Sequence, residues 1–217
     1  MLAHIGEIVE ATDIPVNADF ENGYADDPEE VAKNVRLCVE TGAAGLSIED
    51  ATGVRDAPLY CLEHGVARIA AARRTIDRSG ADVLLVARAE CFLVGNPDIE
   101  EVVRRLTAYS EAGADCLYAP GIRTAEEIAA VVRAVAPKPV NLLLSAAGGL
   151  TIFEAASLGV RRVSVGGALA RAAWGGFIRA AQALAEEGSF KGFAGATPHT
   201  TLNDFFRRDA ETHRAGG

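Results

Sequence analysis

Six side chains stand out in this 217-residue chain because each closes or follows a short apolar run. Asp19 and Glu21 come after Ile14–Ala18, Glu49 and Asp50 after Leu46–Ile48, and Arg88 and Glu90 after Val83–Ala87. A buried strand that ends on a polar residue reads this way. Carboxylates brought face to face either raise a pKa or hold a cation. With oxygen donors and no His or Cys among them, the cation would be hard: Mg²⁺, with Mn²⁺ as the alternative. Asp19 and Glu49 are the candidate metal ligands. Glu21, Asp50 and Glu90 read equally as exposed loop acids or helix caps. Arg88 presents a fork of donors suited to a carboxylate or phosphate. It could also brace the rim by pairing with Glu49 or Glu90.

Two glycine pairs, Gly148-Gly149 and Gly166-Gly167, precede helical stretches and could seat a phosphate or form tight turns. Cys61 and His64 are one helical turn apart, but nothing nearby in the sequence lowers the thiol pKa. Trp174 reads as a core residue.

The elements that must carry these residues repeat. A glycine, one or two small or polar residues and an apolar run recur at Gly42–Glu49, Gly80–Arg88, Gly113–Ala119 and Gly159–Gly166. The glycine suits the left-handed end of a helix and the run suits a buried strand. Ile14–Asp19 and Lys138–Leu144 add two strands without the leading glycine. Helices are expected between them, over about 2–12, 65–79, 150–158 and 168–187. Asp27-Pro28, Asn96-Pro97 and the Thr124/Glu127 capping box open three more. About six βα units therefore alternate, which demands a parallel sheet. A doubly wound sheet would fit, but polar residues close strand after strand and no G-x-G-x-x-G follows the first. The fold class expected is α/β, a (β/α)₈ barrel with about six of its units in this chain. Residues 1–217 read as one partial barrel domain. Two further βα units are expected upstream, with Met1 internal to a longer protein. Without them, open edges at Val16 and Val163 should make the chain associate with itself.

Net charge is −9 with no cluster of Lys and Arg, which excludes a nucleic-acid footprint. No apolar run is long enough to span a membrane, and acids stand where a signal peptide would carry bases. Cytoplasmic residence is expected. The cysteines Cys38, Cys61, Cys91 and Cys116 lack metal-ligand spacing and read as free thiols.

Pro15–Tyr24, Leu46–Gly53, Val86–Glu90 and Glu111–Asp115, taken in order, resemble the isocitrate lyase/phosphoenolpyruvate mutase superfamily from about residue 5 to 206. That resemblance implies a (β/α)₈ barrel with Mg²⁺ at the strand ends. It implies chemistry at a C–C or P–C bond beside a 2-oxo acid, through an enolate. Asp19 resembles the second acid of the family's D-x-D metal motif, and Glu49 the acid of its I-E-D strand. Arg88 resembles the arginine of the A-R-T-D segment that contacts the substrate carboxylate. Arg88 and Glu49 are thus the implied catalytic residues, Arg88 and Asn17 the substrate-binding ones, and Asp19 and Glu49 the metal ligands. Asn17 stands where the family has the first acid, so an amide oxygen or a water would take that place. The loop Ala51–Tyr60 lacks the K-[KR]-C-G-H sequence of isocitrate and methylisocitrate lyases, and Pro120 stands where those lyases carry a glutamate. The resemblance also implies a homo-oligomer, dimer or tetramer, with a helix of the segment at about 189–217 exchanged between subunits. The substrate would be a small 2-oxo acid or a related carboxylate or phosphonate. Two alternatives stand beside this: a phosphate-binding barrel synthase or isomerase, and a catalytically inactive truncated chain.

Overall fold

The computed structural model describes residues 1–215. The chain forms two compact units, Met1–Gly166 and Gly167–Gly217.

The first unit holds six parallel strands that lie side by side in chain order and form a curled half-barrel. They are β1 (Asn17–Asp19), β2 (Gly45–Glu49), β3 (Leu84–Arg88), β4 (Cys116–Tyr118), β5 (Val140–Leu143) and β6 (Arg162–Ser164). The intervening helices are α1 (Leu2–Glu10), α2 (Pro28–Val39), α3 (Leu62–Ser79), α4 (Ile99–Glu111), α5 (Ala125–Val135) and α6 (Ile152–Ser157). The α/β reading and the six-strand count match the expectation from the repeats.

Each expected helix stop is present. Gly42, Gly80, Gly113 and Gly159 all sit at positive φ, between 70° and 107°. Asp27 caps α2 by accepting from the Glu29 and Glu30 amides, and Thr124 with Glu127 forms the capping box of α5. One start is corrected: α4 is capped by Asp98, whose carboxylate accepts from the Glu100 and Glu101 amides, two residues beyond Asn96. The backbone there follows the residue whose side chain can satisfy the free N–H groups.

Side chains alternate across the sheet. Ala18, Leu46, Ile48, Leu85, Ala87, Leu117, Val140 and Leu142 form the helix-side core with Val31, Val35, Ile69, Ile76, Leu106 and Ile128. The positions between them face the concave side: Asn17, Asp19, Ser47, Val86, Arg88, Tyr118, Asn141, Leu143, Arg162 and Ser164 line one cavity of about 340 Å³. Burying each large apolar side chain contributes about 1.5–3 kcal/mol. The helix side of the sheet therefore holds the unit together, and the concave side is left for polar residues.

The second unit contains α7 (Ala168–Glu187), a short 3₁₀ turn (Lys191–Phe193) and α8 (His199–Ala215). Trp174, expected in a core, is 62% exposed on α7 and meets Phe177 edge-on at 5.6 Å. Its helix buries only Ala183, so no apolar surroundings enclose the indole. Residues 216–217 of the C-terminal segment lie outside the described residues.

Candidate active site

Parallel register sets the site. Asp19 lies opposite Ser47, Glu49 opposite Arg88, and Arg88 opposite Tyr118. Three adjacent strands thus bring their C-terminal residues to one end of the sheet, where a βα barrel keeps its chemistry. Arg88 is the centre. Its Nη1 lies 2.9 Å from Asp19 Oδ1, its Nη2 3.3 Å from Glu49 Oε2, and its Nε 2.8 Å from Glu90 Oε1. The Ser47 hydroxyl donates to Asp19 at 3.3 Å. The Tyr118 ring lies 5.1 Å from the Arg88 guanidinium carbon.

Of the residues singled out in the sequence, Asp19, Glu49 and Arg88 are brought together. Asn17 lines the same cavity two residues lower on β1, and its amide donates to Ala18 O at 3.2 Å. Glu21 lies in an exposed turn after β1. Glu90 and Asp50 are neither exposed acids nor caps. They are 4% and 2% exposed: Asp50 lies against Arg105 and Tyr109 of α4, and Glu90 is held between Asp50 and Arg88. Asp50 accepts from the Glu90 amide at 2.8 Å, from Tyr109 Oη at 2.7 Å and from Arg105 Nη1 at 3.0 Å. A fully hydrogen-bonded buried ion pair resists loss of either partner. It fixes the backbone of Glu90, and so the end of β3 that carries Arg88.

The loop between β1 and α2 is strained. Glu21 and Tyr24 adopt φ of 46° and 55°, where non-glycine residues are rare, and Gly23 between them has φ 73°. The start of α3 holds this loop. Arg68 Nη2 donates to Asn22 O and Ala25 O, Tyr60 donates to Asp26, and His64 Nε2 meets Asp26 O at 2.8 Å. His64 is thus engaged with the loop, while Cys61 sits exposed at the head of α3. The guanidinium of Arg68 also stacks 4.0 Å over Tyr60.

Burial raises the pKa of Glu49; Arg88 opposes the rise, and Asp19, Glu21 and Asp50 add to it. Burial also pushes Glu90 up to about 7, against Arg88 and with Glu49. For Arg88, burial pulls the pKa down, but Glu90, Glu49 and Asp19 outweigh it and hold it above its ordinary value.

Three carboxylates share one guanidinium, so the cluster keeps surplus negative charge when all are ionised. Among the described residues no group of three or more His, Cys, Asp or Glu is disposed to hold a metal ion. Magnesium does not need such a cage. It keeps several waters and is held by one or two carboxylates together with substrate. Asp19 on the cavity wall and Glu49 beside it on Arg88, both oxygen donors, suit that mode.

Sequence reading missed the far wall of the cavity. The Asn141 amide nitrogen donates to Ser164 Oγ at 2.9 Å, and Ser164 hydrogen-bonds Tyr118. Asn141 Oδ1 is buried without a hydrogen-bond partner in the protein. A period-two reading carried along every strand would have placed Tyr118, Asn141 and Ser164 on the face that holds Arg88. At the Gly148-Gly149 turn, Thr151 and Glu154 form a capping box that occupies the head of α6 with the protein's own carboxylate.

With this geometry in place, the phosphoenolpyruvate phosphomutase family model matches residues 1–185. The chain belongs to this family. Its fold is similar to that of a candidate lyase/mutase from Burkholderia cenocepacia J2315, with 50% identity and a TM-score of 0.91 over 95% of this chain and 75% of that one. It also resembles oxaloacetate acetylhydrolase solved with its product oxalate: 28% identity, TM-score 0.81, all of this chain and 77% of that one. An oxaloacetate decarboxylase of Pseudomonas paraeruginosa is 35% identical over 127 residues, 54% of this chain and 41% of that protein. The chain spans about half the length of the curated relatives it matches, 41% to 54% in the cases compared. These relatives are lyases, hydrolases and mutases of one superfamily, acting on C–C or P–C bonds. No helix among the described residues is long and apolar enough to cross a membrane.

Proposed function

We propose that this chain carries most of the active site of a magnesium-dependent lyase or mutase that works on a C–C or P–C bond beside a 2-oxo acid, through an enolate. The observation that carries this reading is the convergence of Asp19, Glu49 and Glu90 on Arg88 at the C-terminal ends of adjacent strands. Arg88 anchors the substrate carboxylate by its donor fork, and Asn17 offers a second polar contact from lower on β1. Glu49 and Asp19 would hold Mg²⁺ through their carboxylate oxygens, and Mn²⁺ would suit the same donors. When bound, the ion supplies polarisation of the 2-oxo carbonyl and countercharge for the developing negative oxygen. The strained β1–α2 loop, pinned by Arg68 and Tyr60, keeps Asp19 in register with Arg88.

In this reading residues 1–217 form one partial domain, and two further βα units complete an eight-unit barrel around the concave face. The intact enzyme is a cytoplasmic dimer or tetramer that exchanges a helix of the 189–217 segment. The family match and the lyase and hydrolase relatives support the reaction class. The exposed apolar side chains of the second unit, among them Leu169, Phe177 and Phe205, support the assembly.

The test is calorimetric titration of the chain with oxalate, a small dianion shaped like a planar 2-oxo acid. Binding should require Mg²⁺, disappear with a chelator and weaken in Arg88→Lys. Binding that ignores both the metal and the substitution would remove Arg88 and the carboxylates from the site.

A further inference from the structure

Beside the Arg88 cavity lies a second space of about 410 Å³. Leu93 and Leu143 line both, so the two spaces are neighbours that meet at these side chains. Ile122, Ile128, Leu142, Leu144 and Leu150 also line the second space, with Gly121 and the turn 145–149; no carboxylate contributes, and Arg123 is its one charged side chain. Three consecutive βα loops build it. Gly121 makes that possible: its φ is 101°, and a Cβ there would lie 2.7 Å from Phe92 Cβ. Only glycine lets the β3–α4 loop close against the β4–α5 loop and hold Leu93 between the two spaces. Leu93 nevertheless stays 57% exposed, an apolar side chain standing where the polar and apolar spaces meet.

From this arrangement we infer that the second space is a specificity subsite for an apolar substituent of the substrate. The ligand class is a 2-oxo acid carrying an alkyl or aryl chain of several carbons, its carboxylate on Arg88 and its chain running past Leu93 and Leu143. The volume is in the range that small-molecule subsites occupy. A short acid such as oxalate leaves it wet, whereas a chain covers Leu93 and displaces water from an apolar wall. The inference rests on the proposed 2-oxo acid reading and adds the substituent to it.

The experiment titrates the chain, with Mg²⁺ present, with oxalate and then with straight-chain 2-oxo acids from pyruvate to 2-oxoheptanoate. Each added methylene should tighten binding about three- to fourfold over the first few steps, the gain from burying one CH₂. In Leu150→Asp and Leu150→Phe the ratio of longest-chain to pyruvate affinity should fall toward one. Reading a ratio within each variant cancels any change at the common carboxylate anchor. A flat series in the unaltered chain, with oxalate still bound, overturns the subsite and leaves the reaction reading intact. Failure of oxalate and every 2-oxo acid to bind overturns both. A rising series indifferent to the Leu150 variants, or variants that change only self-association, places the chain elsewhere and overturns the assignment of this space.

Discussion

Glu90 shows how burial converts an ordinary acid into a pH-dependent element. A glutamate in an unfolded chain titrates near 4.3; in the fold, burial lifts Glu90 to about 7, against the pull of Arg88. The folded state therefore binds the extra proton between those two values. Its stabilising contribution is complete below the ordinary value and is lost as pH rises through about 7. Glu49, shifted in the same direction, adds to the effect. In the absence of divalent ions, Tm should fall between about pH 5 and pH 8, and Glu90→Gln should flatten that fall. A slope unchanged by the substitution would show that Glu90 is ionised in the fold. Arg88→Lys keeps the charge but loses the fork that reaches three carboxylates. It should weaken oxalate binding by roughly 1.5–3 kcal/mol, the size of a charge-assisted hydrogen bond.

At the scale of elements, the β1–α2 loop and the Asp50 network position the site without entering it. Gly23 tests the first. Its φ is 73°, and a Cβ would lie 3.1 Å from Val31 Cγ1 and 3.2 Å from Ile48 Cδ1. Gly23→Ala meets both backbone strain and a tight contact, so denaturant unfolding should show a loss of more than about 1 kcal/mol. Oxalate affinity should fall with it if the loop sets Asp19. The second device is tested by Asp50→Ala, which strips Arg105 and Tyr109 of a buried partner and frees the Glu90 amide. Breaking a buried pair from one side costs about 3–5 kcal/mol. Asp50→Asn keeps an acceptor for the Glu90 amide and should recover part of that loss in the same unfolding measurement.

For the molecule as a whole, the telling feature is that β1 and β6 each pair on one side only. Unpaired strand edges template association. The concave face also leaves Leu84 55% exposed on β3. The chain on its own should therefore self-associate, with an apparent mass in sedimentation that rises with concentration. A monodisperse monomer across a hundredfold dilution would contradict this.

The sequence by itself determined the repeat. Glycine at helix ends, caps such as Asp27 and Thr124, and apolar runs of strand length are local signals, written in a handful of neighbouring residues. They were enough for six parallel strands and for placing Asp19, Glu49 and Arg88 at the ends of three of them. The tertiary structure decided what those ends touch. Glu90 and Asp50 read as loop acids because burial depends on partners distant in the chain, here Arg105 and Tyr109 of α4 for Asp50, and Asp50 in turn for the Glu90 amide. Tyr118, Asn141 and Ser164 became cavity residues only when register set strands 21 to 30 residues apart side by side, the first of them beside Arg88. Trp174 was read as core from its type alone, but whether an indole is enclosed depends on neighbours distant in the chain. Local geometry is encoded by adjacent residues; pairing, burial and charge neutralisation are properties of contacts that the chain makes only once it is folded.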